Sequence, residues 1–170
     1  MHHFVDALRA TVQSRNWYSA LSMALTLPDI CGRIAHPGLP SGQRYVRWFD
    51  SYLLANYQMA AGPNRTHTFL CGSDCYALRC AYLHQGEFDL TDQRAAVALE
   101  YFVFIEPPAS GLAHLCQGNK VLMLQIDCFC EEVCQAVDRW LSDVQSDPAI
   151  QGRVSGLARI KKLSDGVTLL

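Results

Sequence analysis

Ser73-Asp74-Cys75-Tyr76-Ala77-Leu78-Arg79-Cys80-Ala81-Tyr82-Leu83-His84-Gln85-Gly86 has a helix start, a helix stop and a composition that constrains the rest of the chain. Ser73 is a good N-cap, and Asp74 falls in the first turn, where the helix dipole favours an acid. Gly86 suits the left-handed residue that closes a helix. Between Cys75 and Leu83 every side chain except Arg79 is apolar or weakly polar, all round the helical wheel. Such a helix must be surrounded by protein. A helical bundle is therefore expected, with its other members on either side in the sequence.

Upstream, Phe4, Leu8 and Val12, then Trp17, Leu21, Ala24 and Leu25, recur at helical spacing, with Ser14 to Asn16 offering a break and a new N-cap. Pro28-Asp29 is expected to end this region, and Cys31 to Gly42, with Gly32, Pro37, Gly38, Pro40 and Gly42, reads as a loop. Ser41 then caps an amphipathic helix. Its Tyr45, Trp48, Phe49, Tyr52, Leu53 and Tyr57 share one stripe, opposite Arg44, Arg47 and Asp50. At this clean spacing the aromatics predict core rather than a base-stacking platform.

Downstream the pattern changes. Leu99 to Ile105 is aromatic and β-branched and stops at Pro107-Pro108; Val121 to Asp127 puts Leu122, Leu124 and Ile126 on one face. The two predict an antiparallel hairpin within 98–127. Phe129, Val133, Ala136, Val137, Trp140, Leu141 and Val144 then trace a further helix. The fold class is mostly α (α+β): one helical domain over 1–145 containing the hairpin, then a polar, partly basic segment over 146–170. Its Arg153, Arg159, Lys161 and Lys162 read as a solvated end.

A chain of 170 residues supports one core. Half of it is hydrophobic and 18% is charged, below the roughly 25% of average soluble domains, which excludes disorder. Apolar runs fall short of the ~20 residues that span a bilayer, so no membrane segment is expected. Asp6 interrupts the start where a secretory leader would be apolar, so a cytoplasmic, reduced protein is expected. A net charge of −2 leaves room for nucleic acid only at a local patch.

Eight cysteines stand at 31, 71, 75, 80, 116, 128, 130 and 134. A disulfide framework suits a small secreted domain, which this is not expected to be. In that setting the sequon Asn64-Arg65-Thr66 carries no glycosylation signal. Cys71-x3-Cys75 and Cys128-x-Cys130-x3-Cys134 lack the Cys-x2-Cys spacing favoured in structural zinc sites. Reduced core thiols are expected, with no metal and no cofactor; a metal or redox role for these five is the competing reading. His36, His67 and His114 lie in segments that read as loops and predict solvated side chains.

Arg79 and His84 are the residues that could do chemistry. A guanidinium on an apolar helix must reach solvent or find a partner. His84 lies at the helix C-terminus, where the dipole favours a cation. Five helical residues turn through about 500°, leaving the two about 140° apart around the axis. They converge only if the long arginine side chain swings to the helix end or if a second copy packs alongside. A cation that holds phosphate charge beside an imidazole that moves a proton suits phosphodiester chemistry, and such chemistry needs no metal.

Arg79-Cys80-Ala81-Tyr82-Leu83-His84 resembles the Arg-x4-His motif of HEPN (higher eukaryotes and prokaryotes nucleotide-binding) domains. Together with Leu27-Pro28-Asp29-Ile30-Cys31 and Arg44-Tyr45-x2-Trp48-Phe49, the wider run also resembles a group of small uncharacterised bacterial proteins. The HEPN resemblance implies a helical homodimer with Arg and His at the seam, and metal-independent RNA cleavage in toxin–antitoxin or antiviral systems. Arg79 would then hold the scissile phosphate and His84 transfer the proton, with Asp74 as a supporting, orienting acid and an antitoxin or other protein as partner. Cys80 stands where HEPN nucleases carry a polar residue, often Asn, and the late hairpin lies outside their helical core.

Two other readings stay open. One is a non-catalytic dimeric module of the same fold that binds RNA, a nucleotide or a partner protein. In the other, Arg79 is tied to a neighbouring carbonyl or to Asp29, and His84 is bonded to backbone.

Overall fold

The computed structural model describes residues 1–161. Helices α1 (His2–Gln13), α2 (Trp17–Ala35), α3 (Ser41–Tyr52), α4 (Gly72–Gln85), α5 (Ile126–Asp143) and α6 (Pro148–Ser155) make it predominantly helical. Two small sheets complete it: β1 (Gln58–Ala60) with β2 (Thr66–Thr68), and β3 (Tyr101–Ile105), β4 (Cys116–Gly118) and β5 (Val121–Gln125). Among the described residues, no helix is long and apolar enough to cross a membrane.

Helix α2 is the element on which α1, α3, α4, α5 and α6 all pack. Asn16 caps it, its side chain accepting from the Ser19 N–H at 3.4 Å. The helix does not stop at Pro28 as expected; it runs on to Ala35 with Pro28 buried inside it. An interior proline costs about 3 kcal/mol through its missing N–H and its clash with the preceding turn. Burial of Cys31 and Ile34 on the continuing turns offsets that cost. The first part of the expected loop, Cys31 to Ala35, is therefore helix.

Helix α3 presents Tyr45, Trp48 and Phe49 to the core, all at most 1% exposed. Trp48 meets Trp140 of α5 edge-on at 6.4 Å, and α5 buries Phe129, Val133, Ala136, Val137 and Trp140 along the expected stripe. The aromatic stripe of α3 is core, as its spacing indicates. Pro40, not Ser41, occupies the N-cap of α3; Ser41 instead bonds Tyr76 of α4.

The strands correct the sequence expectation. β3 and β5 pair in parallel, with Phe102 opposite Leu122 and Phe104 opposite Leu124. The antiparallel partner of β5 is β4, joined to it through Asn119-Lys120, with Asn119 at φ 52°. The alternation of core-facing residues is the same whichever way a strand runs, so periodicity does not report direction. The connection 106–120 is long enough for the crossover that parallel pairing needs. The β1–β2 hairpin lies where the end of the amphipathic helix and a short loop were expected.

Of the basic segment, Arg153 lies in α6 and its Nε donates to the Ile34 carbonyl at 2.7 Å, while Lys162 falls outside the described residues.

Candidate functional site

Helix α4 begins one residue before the expected cap. Cys71 holds the cap position but its side chain accepts no capping bond from the first-turn N–H groups, and Asp50 of α3 accepts from the Gly72 N–H at 2.9 Å. The helix ends at Gly86, whose φ of 75° is the left-handed conformation expected there. These ends set the register that places Arg79 toward α2 and His84 at the open end.

Arg79 does swing to the helix end. Its Nη1 donates to His84 Nε2 at 3.1 Å, and its Nη2 donates to Asp29 Oδ2 of α2 at 3.0 Å. A guanidinium has only donors, so His84 Nε2 is the acceptor, and a neutral imidazole in this contact carries its proton on Nδ1. The two residues thus meet within a single chain, and His84 is exposed.

Asp29 serves a second cation. Arg44 Nη2 donates to Asp29 Oδ1 at 3.4 Å and its Nη1 to the Leu39 carbonyl at 3.5 Å. Arg44 sits in the first turn of α3, at the positive end of that helix, where a cation is disfavoured unless an acid meets it. Two guanidiniums on one carboxylate leave one positive charge in excess. The side chains of Arg79, Arg44 and Asp29 are 21%, 20% and 15% exposed. The Nε groups of Arg44 and Arg79 are buried with no partner among the described residues. A partly exposed, cation-rich edge of this kind can receive an anionic oxygen.

Asp74 is not part of this cluster. It is 1% exposed; its Oδ1 accepts the N–H groups of Val97 and Ala98 at 2.7 and 3.1 Å, and its Oδ2 accepts from Cys71 Sγ at 3.3 Å. It fastens the segment before β3 onto α4. The acid that orients Arg79 is Asp29, which the sequence offered only as a structural tie for the arginine.

The sequence reading missed one polar group, around His114. His114 is nearly buried rather than solvated: its Nδ1 accepts from the Gln125 N–H at 3.1 Å, and its Nε2 lies 3.3 Å from Glu132 Oε1. Tyr57 donates to the other oxygen of Glu132. Burial, followed by the Glu132 charge, pushes the Tyr57 phenol well above its ordinary range, so it stays a donor. His67 lies in β2 and bonds Gln117 of β4 at 2.7 Å.

The cysteines are free thiols, with Cys31, Cys75, Cys130 and Cys134 buried and Cys116 exposed. Burial pushes Cys75 up to about 12, so it behaves as a small neutral hydrophobe. Among the described residues, no three His, Cys, Asp or Glu side chains are grouped closely enough to hold a metal ion. In comparison with known proteins, the chain matches no family model, no curated protein and no solved structure.

Proposed function

We propose that the chain is a HEPN-like, metal-independent endoribonuclease that acts on RNA in the cytoplasm as a homodimer, in a toxin or defence setting. The contact between Arg79 and His84, 3.1 Å long at an exposed helix end, is the observation that supports this reading. In the proposed reaction the incoming phosphate draws Arg79 Nη1 away from the imidazole, while Asp29 keeps hold of Nη2. The freed Nε2 takes the proton of the ribose 2′-hydroxyl, and the 2′-oxygen attacks the adjacent phosphorus. The bond to the 5′-oxygen breaks, and that oxygen takes the proton that the His84 imidazole removed from the 2′-hydroxyl, which returns His84 to its starting state. The products are a 2′,3′-cyclic phosphate and a 5′-hydroxyl. Arg79, backed by the excess charge of Arg44, stabilises the negative charge that builds on phosphorus.

The test is cleavage of single-stranded RNA by purified protein in EDTA. Cutting should leave cyclic phosphate ends, and His84→Ala should abolish it while leaving the fold intact by circular dichroism. Equal activity in the wild type and the variant would overturn the proposal.

A second reading is favoured by one observation: both terminal nitrogens of Arg79 are already engaged within the chain. The site is then a non-catalytic module that binds RNA, a nucleotide or a partner protein such as an antitoxin. Retained dimerisation and RNA binding without cleavage would select it. Loss of folding in Arg79→Ala with no specific effect on binding would make the arginine purely structural.

A further inference from the structure

A second pocket lies at the N-terminal end of α2. Trp17 and Tyr18 at the start of α2, Phe88 after α4, Phe104 of β3 and Ile126 at the start of α5 line a pocket of about 160 Å³, and Glu106 joins them directly after β3. Four of these six side chains are aromatic and come from three different parts of the chain. An apolar cavity on the order of 150 Å³ holds a benzene-sized group, so the pocket has room for a compact organic head group.

The wall is braced. Phe88 stacks on Tyr82 at 5.5 Å with the rings 3° from parallel, and the Tyr82 hydroxyl donates to the Tyr18 carbonyl at 3.2 Å. Tyr18 is nonetheless 78% exposed, a large aromatic left in water where no core requires it.

Charge decides the kind of ligand. Glu106 is exposed and forms no ion pair among the described residues. Aromatic rings present negative faces that attract cations, and an unpaired carboxylate beside them adds a full negative charge. The opposing partial charge at the start of α2 is met by the Asn16 side chain, and that at the start of α5 by Asp127 in its first turn. An anion would face Glu106, and a neutral apolar molecule would make no use of it.

The structure assigns to this pocket a small organic monocation whose ammonium group is clothed in methyl or methylene carbons. Arg79 and His84 take no part in it, so its success or failure is independent of RNA cleavage.

Choline and its uncharged carbon analogue 3,3-dimethylbutan-1-ol are the probes, titrated into the full chain by calorimetry and by tryptophan fluorescence. Trp48 and Trp140 are each 1% exposed, so a fluorescence change reports Trp17. Choline should bind saturably and about tenfold more tightly than the alcohol. Glu106→Gln should remove most of that preference, and Tyr18→Leu, at an exposed position, should weaken choline binding several-fold without unfolding the chain. Equal binding of the two probes, no saturable binding of choline, or wild-type choline binding in both variants would overturn the assignment.

Discussion

Asp29 of α2 and Arg79 of α4, fifty residues apart in sequence, are joined at 3.0 Å, and the same carboxylate reaches Arg44 of α3 at 3.4 Å. One acid therefore ties three helices together, and it also sets the orientation in which Arg79 meets His84. Structural and chemical roles fall on the same atoms.

Replacing that acid by its amide should separate the two roles. Asp29→Asn leaves two partly buried guanidiniums without a counter-charge and is expected to cost about 2 kcal/mol in urea denaturation. Arg44→Gln should cost about 1 kcal/mol or less, because Asp29 keeps Arg79 and a cation leaves the positive end of α3. If the order of the two variants is reversed, Asp29 is not the hub of this network.

Asp74 is expected to act on the chain before β3 rather than on the candidate site. Asp74→Ala strips the Val97 and Ala98 N–H groups of their acceptor, at a cost of about 2–3 kcal/mol. Amide hydrogen exchange should accelerate around 97–98, with Arg79 and His84 unaffected. Asp74→Asn keeps one carbonyl oxygen and should recover much of the loss. Unchanged exchange at 97–98 would contradict the assignment.

Close approach of α2 to α3 makes one glycine indispensable. A methyl at Gly32 would lie 2.6 Å from the Arg44 carbonyl oxygen and 2.9 Å from its carbon, so backbone must move. Gly32→Ala is expected to destabilise by about 1–3 kcal/mol. At Gly152 in α6 a methyl meets nothing within 4 Å, and Gly152→Ala should stabilise by about 0.5–1 kcal/mol through helix propensity. Thermal melts of the two variants should shift in opposite directions.

Buried thiols give stability a definite pH dependence. Cys75 ionises at 9.0 when exposed but only at about 12 in the fold, chiefly because of burial. Its neutral form is favoured in the folded chain, so this contribution is fully present below pH 9 and is lost as pH rises from 9 toward 12. Urea midpoints should fall between pH 8 and pH 10, less steeply in Cys75→Ala. Under native conditions a thiol reagent should label Cys116 quickly and reach Cys31 and Cys75 only on unfolding. Equal labelling rates for all three would refute their burial.

What the sequence determined by itself was local. The stripes of α3 and α5, the stop at Gly86 and the confinement of α4 follow from spacing and backbone preference within a few turns of helix. So did the distance between Arg79 and His84 along one helix, which restricted their meeting to two geometries. The tertiary structure decided everything that depends on a residue far away in the chain. Pro28 stays helical because the turns beyond it are buried; β3 runs parallel to β5, a direction that burial leaves open, since either one buries the same side chains, and that the 106–120 crossover allows. Asp74, well placed for a helix dipole, is claimed by backbone more than twenty residues on, and Asp29 takes the arginine. Periodicity records which face of an element is apolar; it carries no information about which buried donor a buried acceptor will find.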